Sequence, residues 1–313
     1  MNITPIDSRQ VAELQLYLEP GSSSQAVYLL ADQRVAIDIA FQELEPYRQG
    51  PFVAARPPGI HPEMSAGQST FHGEAWLGGR QRQLSCLARG EDLVLSIEGF
   101  GELYVLAEGT VSRRSLPSTV APDPDLLLEV ALGPALLLPL ATRGIFGLHA
   151  SAVLGDKGVI AFAGVSGAGK STLASSAARE GFWPLIGDDL LPWTLGASGV
   201  TGFLSYPQLK RLDLAPGSTK TSVAGPLQAL YVLESVEATR DARVEIHSLP
   251  PRLGALAMVR HTVSSTLFDK SRLERLLDSA GTACQRVPIR RLVVPRKFDF
   301  LPRAWEAVAR DLE

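Results

Sequence analysis

One stretch limits the folds open to this chain more than any other. A short apolar run, Gly158–Ala163 (Gly-Val-Ile-Ala-Phe-Ala), leads into Gly164-Val165-Ser166-Gly167-Ala168-Gly169-Lys170-Ser171-Thr172, and a helical pattern over residues 173–179 follows and stops at Gly181. A buried strand, a glycine-rich turn and a helix in that order give the pattern G-x-x-x-x-G-K-[ST] in its required context. The glycines let the backbone curl so that several N–H groups point inward, and the helix N-terminus adds its partial positive charge. Lys170 then reaches the outer phosphates of a nucleoside triphosphate, and the Ser171 hydroxyl is placed to ligate Mg²⁺. The cofactor-binding set read from this turn is Gly164, Ser166, Gly167, Ala168, Gly169, Lys170, Ser171 and Thr172, and it calls for a nucleoside triphosphate and Mg²⁺.

The flanks add chemistry to binding. Residues 182–186 read as a strand that ends in Gly187-Asp188-Asp189. From Lys170 to Asp188 is a step of 18 positions (188 − 170), enough for one helix and a return strand. Two carboxylates at a strand end beside such a loop can hold Mg²⁺ and take a proton from an attacking hydroxyl, although Asp-Asp is also a common acidic turn. Upstream, residues 148–154 (Leu-His-Ala-Ser-Ala-Val-Leu) read as a strand joined through Gly155-Asp156-Lys157-Gly158 to the next, which predicts a hairpin. His149 would enter the site on that sheet, to orient a phosphate or help a proton leave.

The rest of the chain sets the frame. With 313 residues, two domains are expected. Residues 15–18, 26–30, 35–39, 83–87, 93–97 and 103–106 read as short strands bounded by turn residues, which predicts a β-rich N-terminal domain. Residues 47–67, rich in Pro and Gly, read as a loop. His61 and His72 stand in loop-like surroundings, a setting more often structural or solvated than ligating. Pro117, Pro122 and Pro124 mark a break, so the expected domains are 1–120 and 121–313, the second of α/β type. Asp123 or Asp125 is placed to cap the apolar helix that follows, with Pro124 in its first turn.

That helix, residues 126–140, is shorter than a bilayer span and interrupted by Glu129, Pro134 and Pro139, so a buried core helix is expected and no membrane partner. The formal net charge is −3, which gives no basic field for nucleic acid. Cys86 and Cys284 lack metal-ligand spacing and read as small apolar side chains. The first ten residues have no apolar stretch of the kind a signal peptide needs, so a soluble, cytoplasmic protein is the expectation.

Taken together, Leu148-His149-Ala150-Ser151-Ala152, the hairpin, the glycine-rich turn and Gly187-Asp188-Asp189 resemble the C-terminal kinase domain of the HPr serine kinase/phosphorylase family. The resemblance runs from about Asp125 to the C-terminus, where a strand near residues 287–292 is expected to lead to a closing helix. It implies an α/β P-loop kinase domain of the HPr kinase/phosphoenolpyruvate carboxykinase type, preceded by a smaller β-rich domain. It also implies ATP in particular as the nucleotide, and catalytic roles for His149, Lys170, Asp188 and Asp189, with Ser171 and Asp188 at the metal and the roles of the two aspartates interchangeable at this point. The family carries a Leu-Glu-Ile-Arg-Gly-Leu-Gly signature whose glutamate assists the metal; this chain has Tyr206-Pro207-Gln208-Leu209-Lys210-Arg211-Leu212-Asp213-Leu214 there. That departure resembles the divergent branch of the family, some members of which accompany lasso-peptide biosynthesis and phosphorylate a precursor's terminal serine.

The expected activity is therefore transfer of the γ-phosphoryl group of ATP to a Ser or Thr hydroxyl of a peptide or protein, with the N-terminal domain a candidate for acceptor recognition. Lys210, Arg211 and Lys220 lie in a stretch that can fold over the phosphates, and Arg260, Arg290 and Arg291 are further cations to consider. Two other readings stand beside it: a small-molecule hydroxyl kinase, and a non-catalytic nucleotide-binding regulator. The hexamers of the family leave a homo-oligomer as an open expectation.

Overall fold

The computed structural model describes residues 13–19, 22–55, 67–115, 122–203, 206–208 and 224–313. The chain is mixed α/β and divides into two compact units, Met1–Thr142 and Arg143–Glu313. The boundary expected at 120/121 lies outside the described residues; the apolar helices after it group with the first unit.

The first unit is built on a sheet that has nine strands among the described residues. They are β1 (Leu14–Tyr17), β2 (Ser24–Leu30), β3 (Gln33–Ile37), β4 (Val53–Ala54), β5 (Gln68–Leu77), β6 (Arg80–Arg89), β7 (Asp92–Ile97), β8 (Gly101–Val105) and β9 (Thr110–Arg114), in the order β4-β2-β3-β1-β9-β8-β7-β6-β5. Most neighbours are antiparallel, but β1 runs parallel to both β3 and β9. Ala31 and Asp32 turn β2 into β3 with φ of 50° and 59°, the pair of positive values that a tight hairpin requires. His72, expected in a loop, lies within β5, whereas His61 falls outside the described residues.

The single apolar helix expected over residues 126–140 is two helices, α1 (Pro124–Leu132) and α2 (Pro134–Thr142). Gly133 caps the first, and the next helix begins on Pro134, which has no N–H to continue the ladder. Asp123 is the N-cap, accepting from the Asp125 N–H at 2.9 Å, with Pro124 at the first helical position. By length and composition Pro124–Thr142 would suffice to cross a membrane; 67% of its most apolar window is buried within the protein.

The second unit also carries nine strands among the described residues. They are β10 (Ile145–Leu148), β11 (Ala150–Gly155), β12 (Gly158–Ala163), β13 (Leu185–Gly187), β14 (Leu191–Gly196), β15 (Gly199–Phe203), β16 (Ala224–Val236), β17 (Glu245–Ser248) and β18 (Ile289–Pro295). Three long strands run parallel in its middle, with β16 between β12 and β18. β11 and β12 form the expected hairpin, closing on the Gly155–Gly158 pair. The helices are α3 (Lys170–Arg179), α4 (Pro251–Arg260), α5 (Lys270–Arg286) and α6 (Leu301–Leu312). The expected strand and closing helix at the C-terminus are β18 and α6.

The core that supports α3 is aromatic. Phe162 of β12 meets Trp305 of α6 edge-on at 5.2 Å and stacks on Tyr231 of β16 at 5.6 Å. Trp305 is fully buried, and its Nε1–H donates to Ser176 Oγ at 2.9 Å, which satisfies the one polar atom it carries into the core. The same tryptophan explains a difference from the sequence expectation. The strand expected over residues 182–186 begins only at Leu185, because Phe182 and Trp183 pack on Trp305 at 6.3 and 5.5 Å.

Backbone crowding around β12 is severe. Gly158 has φ of 146°, and a Cβ there would stand 2.1 Å from the Pro226 carbonyl oxygen. Gly158→Ala is expected to lower stability by roughly 3 kcal/mol or more, because the strain and the clash cannot both relax. Gly167→Ala is the control: its φ of 77° faces open space, so the cost should stay near 1 kcal/mol. Urea unfolding midpoints of the two variants check the ranking.

Candidate functional site

The glycine-rich turn leaves the carboxyl end of β12, beside the carboxyl ends of β16 and β18, where open parallel sheets place their ligands. Gly164 can approach β16 closely because it lacks a side chain; a Cβ would lie 2.9 Å from the Leu233 carbonyl oxygen. Gly169 takes φ of 92° as it enters α3, a conformation that a side chain would oppose. From the neighbouring strand end, Ser235 Oγ donates to the Ala168 carbonyl at 2.6 Å and pins the turn to β16.

Lys170 is buried, and its ammonium donates to the carbonyls of Gly164 at 2.9 Å and Val165 at 3.2 Å. The lysine thus lies along the inside of its own loop. Val165, Ser166, Gly167, Ser171 and Thr172 are exposed around it, Ala168 is buried and Gly169 half-buried.

The two aspartates share a strand end and differ in almost everything else. Asp188 is 5% exposed. Its Oδ1 accepts from Ser151 Oγ at 2.6 Å, and its backbone N–H donates to Gln208 Oε1 at 2.8 Å. The Gln208 amide is oriented in turn, its Nε2 donating to the carbonyls of Leu190 at 2.9 Å and Tyr206 at 3.1 Å. Asp189 has φ of 89°, a left-handed conformation that costs a non-glycine residue about 1–3 kcal/mol. That twist turns its side chain outward to 38% exposure, toward His149.

His149 does not continue a strand, as its sequence setting suggests; it is the break between β10 and β11. Its Nδ1 lies 3.0 Å from the Asp189 carbonyl oxygen and 3.4 Å from Asp189 Oδ1. A carbonyl only accepts, so Nδ1 carries the proton and Nε2 is left for the cavity. The backbone N–H of His149 donates to the His261 carbonyl at 2.7 Å.

Two cavities flank the turn. One, of about 280 Å³, lies on the side of Gly164, Val165 and Ser166 and is closed by His149, Arg260, His261 and Thr262. The other, of about 250 Å³, lies on the side of Gly169 and Thr172, with an apolar wall from Leu173, Leu233 and Val294 and a rim of Arg296, Lys297 and Phe298. Both flanks thus carry cations, Arg260 on one and Arg296 with Lys297 on the other.

Magnesium fits this donor set only in part through the protein. Among the described residues no three His, Cys, Asp or Glu side chains converge on a metal. Mg²⁺ is commonly held by one or two carboxylates with phosphate oxygens and water, so the protein need supply only part of its ligands.

Of the residues singled out from sequence, the structure brings His149 and Asp189 together and sets His149 in one cavity with Gly164 and Ser166. Arg260 lines that cavity, whereas Arg290 is taken up by Asp311 at 3.3 Å and Arg291 lies 3.7 Å from Glu234. Lys210, Arg211 and Lys220 fall outside the described residues. Sequence reasoning gave no role to Ser151, Gln208, Ser235 or His261. Each is placed by a partner at least 20 positions away, which local spacing does not show.

No family model matches this chain, and no curated protein does. Among solved structures it is similar to the HPr(Ser) kinase/phosphatase from Coxiella burnetii, at 10% sequence identity and a TM-score of 0.31, over 53% of this chain and 95% of that one. A TM-score of that size is too low to define a common fold.

His261 carries a pH consequence. Burial, reinforced by the charges of Arg260, Lys170 and His149, pushes its pKa down to about 4 from an ordinary 6.5. Protonation therefore favours the unfolded chain, whose histidine accepts a proton first. The stabilisation is complete above pH 6.5 and is lost as pH falls toward 4, up to roughly 3 kcal/mol. Urea midpoints should drop between pH 7 and pH 5, and His261→Asn should flatten that drop.

Proposed function

We propose that this chain is an ATP- and Mg²⁺-dependent P-loop kinase of the HPr kinase-like type, transferring the γ-phosphoryl group to a Ser or Thr hydroxyl of a peptide or protein. One observation carries the reading: adjacent aspartates, one buried and braced and the other strained outward, stand at a strand end in the fold unit that holds an intact glycine-rich loop with its lysine and serine. The left-handed backbone at Asp189 turns its carboxylate outward, as a proton acceptor requires.

Each side chain has a task in this reading. Backbone N–H groups from Gly164 to Ser171 cradle the phosphates, and Lys170 exchanges its contacts with the loop carbonyls for phosphate oxygens. The apolar cavity beside Thr172 and Leu173 takes the base, with Phe298 at its rim. Asp188 and Ser171 would hold the metal, which would neutralise phosphate charge when bound. Ser151 and Gln208 fix Asp188 with one carboxylate oxygen engaged, and the other would be left for the metal. Asp189 takes the proton of the acceptor hydroxyl, and His149 aims it by grasping its carbonyl and carboxylate.

The acceptor class follows from the sequence resemblance and extends to the precursor of a ribosomally made peptide. The β-rich unit, residues 1–120 in the sequence reading, is assigned to acceptor recognition. The reaction belongs in the cytoplasm and requires neither nucleic acid nor a membrane.

The test is phosphoryl transfer from labelled ATP to hydroxyl-bearing peptides and, in parallel, to a panel of small alcohols. Asp189→Asn is expected to reduce turnover at least a hundredfold while leaving Mg·ATP affinity within threefold. Asp188→Asn should weaken both metal dependence and turnover, and Lys170→Ala should weaken nucleotide binding itself. Label in a small alcohol and none in any peptide would overturn the peptide acceptor. Turnover unchanged in Asp189→Asn would overturn the assigned base.

A further inference from the structure

His261 sits where the proposed chemistry needs a donor, and nothing assigned so far uses it. Its side chain is 9% exposed, and among the described residues its ring nitrogens make no hydrogen bond within the protein. Its ring nitrogens are not sealed in the core, so they are open to whatever occupies the cavity beside them. It lines the 280 Å³ cavity together with Gly164, Val165 and Ser166 of the phosphate-binding turn and with His149. Lys170 and His149 are near enough for their charges to act on it.

The backbone around it is fastened. The His261 N–H donates to the Ala257 carbonyl at 3.0 Å, and its own carbonyl accepts from His149 at 2.7 Å. Val263 N–H donates to the Gly147 carbonyl at 2.8 Å, Leu148 and Thr262 form a bridge, and Thr262 Oγ1 donates to the Met258 carbonyl at 2.8 Å. The ring is therefore presented from a segment stitched across the β10–β11 break, on a rigid mount rather than a loose loop.

The two cavities give the phosphate chain a direction. With the base in the apolar cavity beside Thr172, successive phosphates run along the turn toward Ser166 and Gly164, so the last one enters the cavity that His261 lines. We infer that His261 is a catalytic residue that donates a hydrogen bond to the terminal, transferable phosphoryl group. This rests on the proposed kinase reading and adds a residue to it. A neutral imidazole offers one N–H and one bare nitrogen, so it supplies direction without a further positive charge beside Lys170 and Arg260. It would tell a triphosphate from a diphosphate, since only the former reaches it.

The experiment measures calorimetric affinities of the full chain for the non-hydrolysable analogue AMPPNP and for ADP, each with Mg²⁺. Wild type is compared with His261→Ala, His261→Asn and His261→Gln. His261→Ala should lose about tenfold in AMPPNP affinity, the scale of one hydrogen bond to a charged group, and less than twofold for ADP. Asn or Gln should restore part of the loss, and whichever does so identifies the donating ring nitrogen. In wild type, the His261 ring signal, one of five histidines, should move in the NMR spectrum on adding AMPPNP and stay in place with ADP. The NMR arm needs no variant other than for assignment, so it stands even if His261→Ala does not fold. Equal losses for both nucleotides, or a ring signal indifferent to AMPPNP, would overturn the inference while leaving the kinase reading intact. Wild type that binds neither nucleotide would overturn both.

Discussion

The second unit depends on how closely the β12 backbone lies against β16. Gly158 at one end and Gly164 at the other both sit where a Cβ would strike a carbonyl oxygen of the neighbouring strand. Between them β12 is buried without interruption, and Phe162 locks it to Trp305 and Tyr231. A strand held this tightly gives the loop after it a fixed point of departure. The hydrogen bond from Ser235 to the Ala168 carbonyl then ties the far side of the loop to the same neighbour. Pre-positioned N–H groups are worth more to an anion than mobile ones, because no ordering cost remains when it arrives.

From that anchor the polar parts follow a common plan in which a residue near the centre is aimed by another behind it. Ser151 and Gln208 hold Asp188, His149 grips Asp189, and the segment from His261 to Val263 holds the backbone of the β10–β11 break where His149 sits. Chains of this kind hold side chains within small tolerances.

The turn, its helix, the hairpin and the acidic strand end were legible because each is written in a few adjacent residues. Glycines, a lysine and a strand-like apolar run specify local backbone and local charge together. What remained hidden depends on partners far along the chain. Gln208 looks like an ordinary loop amide until the fold places it behind Asp188, and His261 looks like a helix-end histidine until α4 meets the β10–β11 break. Phe182 and Trp183 read as strand because aromatic runs favour strands, yet Trp305, more than 100 positions on, claims them for the core. The break at Gly133-Pro134 was visible in the residues and was outweighed by the predominantly apolar run on both sides. β5 was missed because Gln68-Ser69-Thr70 and Gly73 dilute its alternation, while pairing with β6 from Gln68 to Leu77, broken only at Thr70, holds it in place.

The left-handed backbone at Asp189 has a bearing on how this lineage can drift. Glycine would adopt that conformation at little cost, so it would make the folded chain sturdier. Selection for stability alone would therefore remove the outward carboxylate early. On the proposed kinase reading, a glycine at this position would keep the backbone turn and lose the carboxylate assigned as the base.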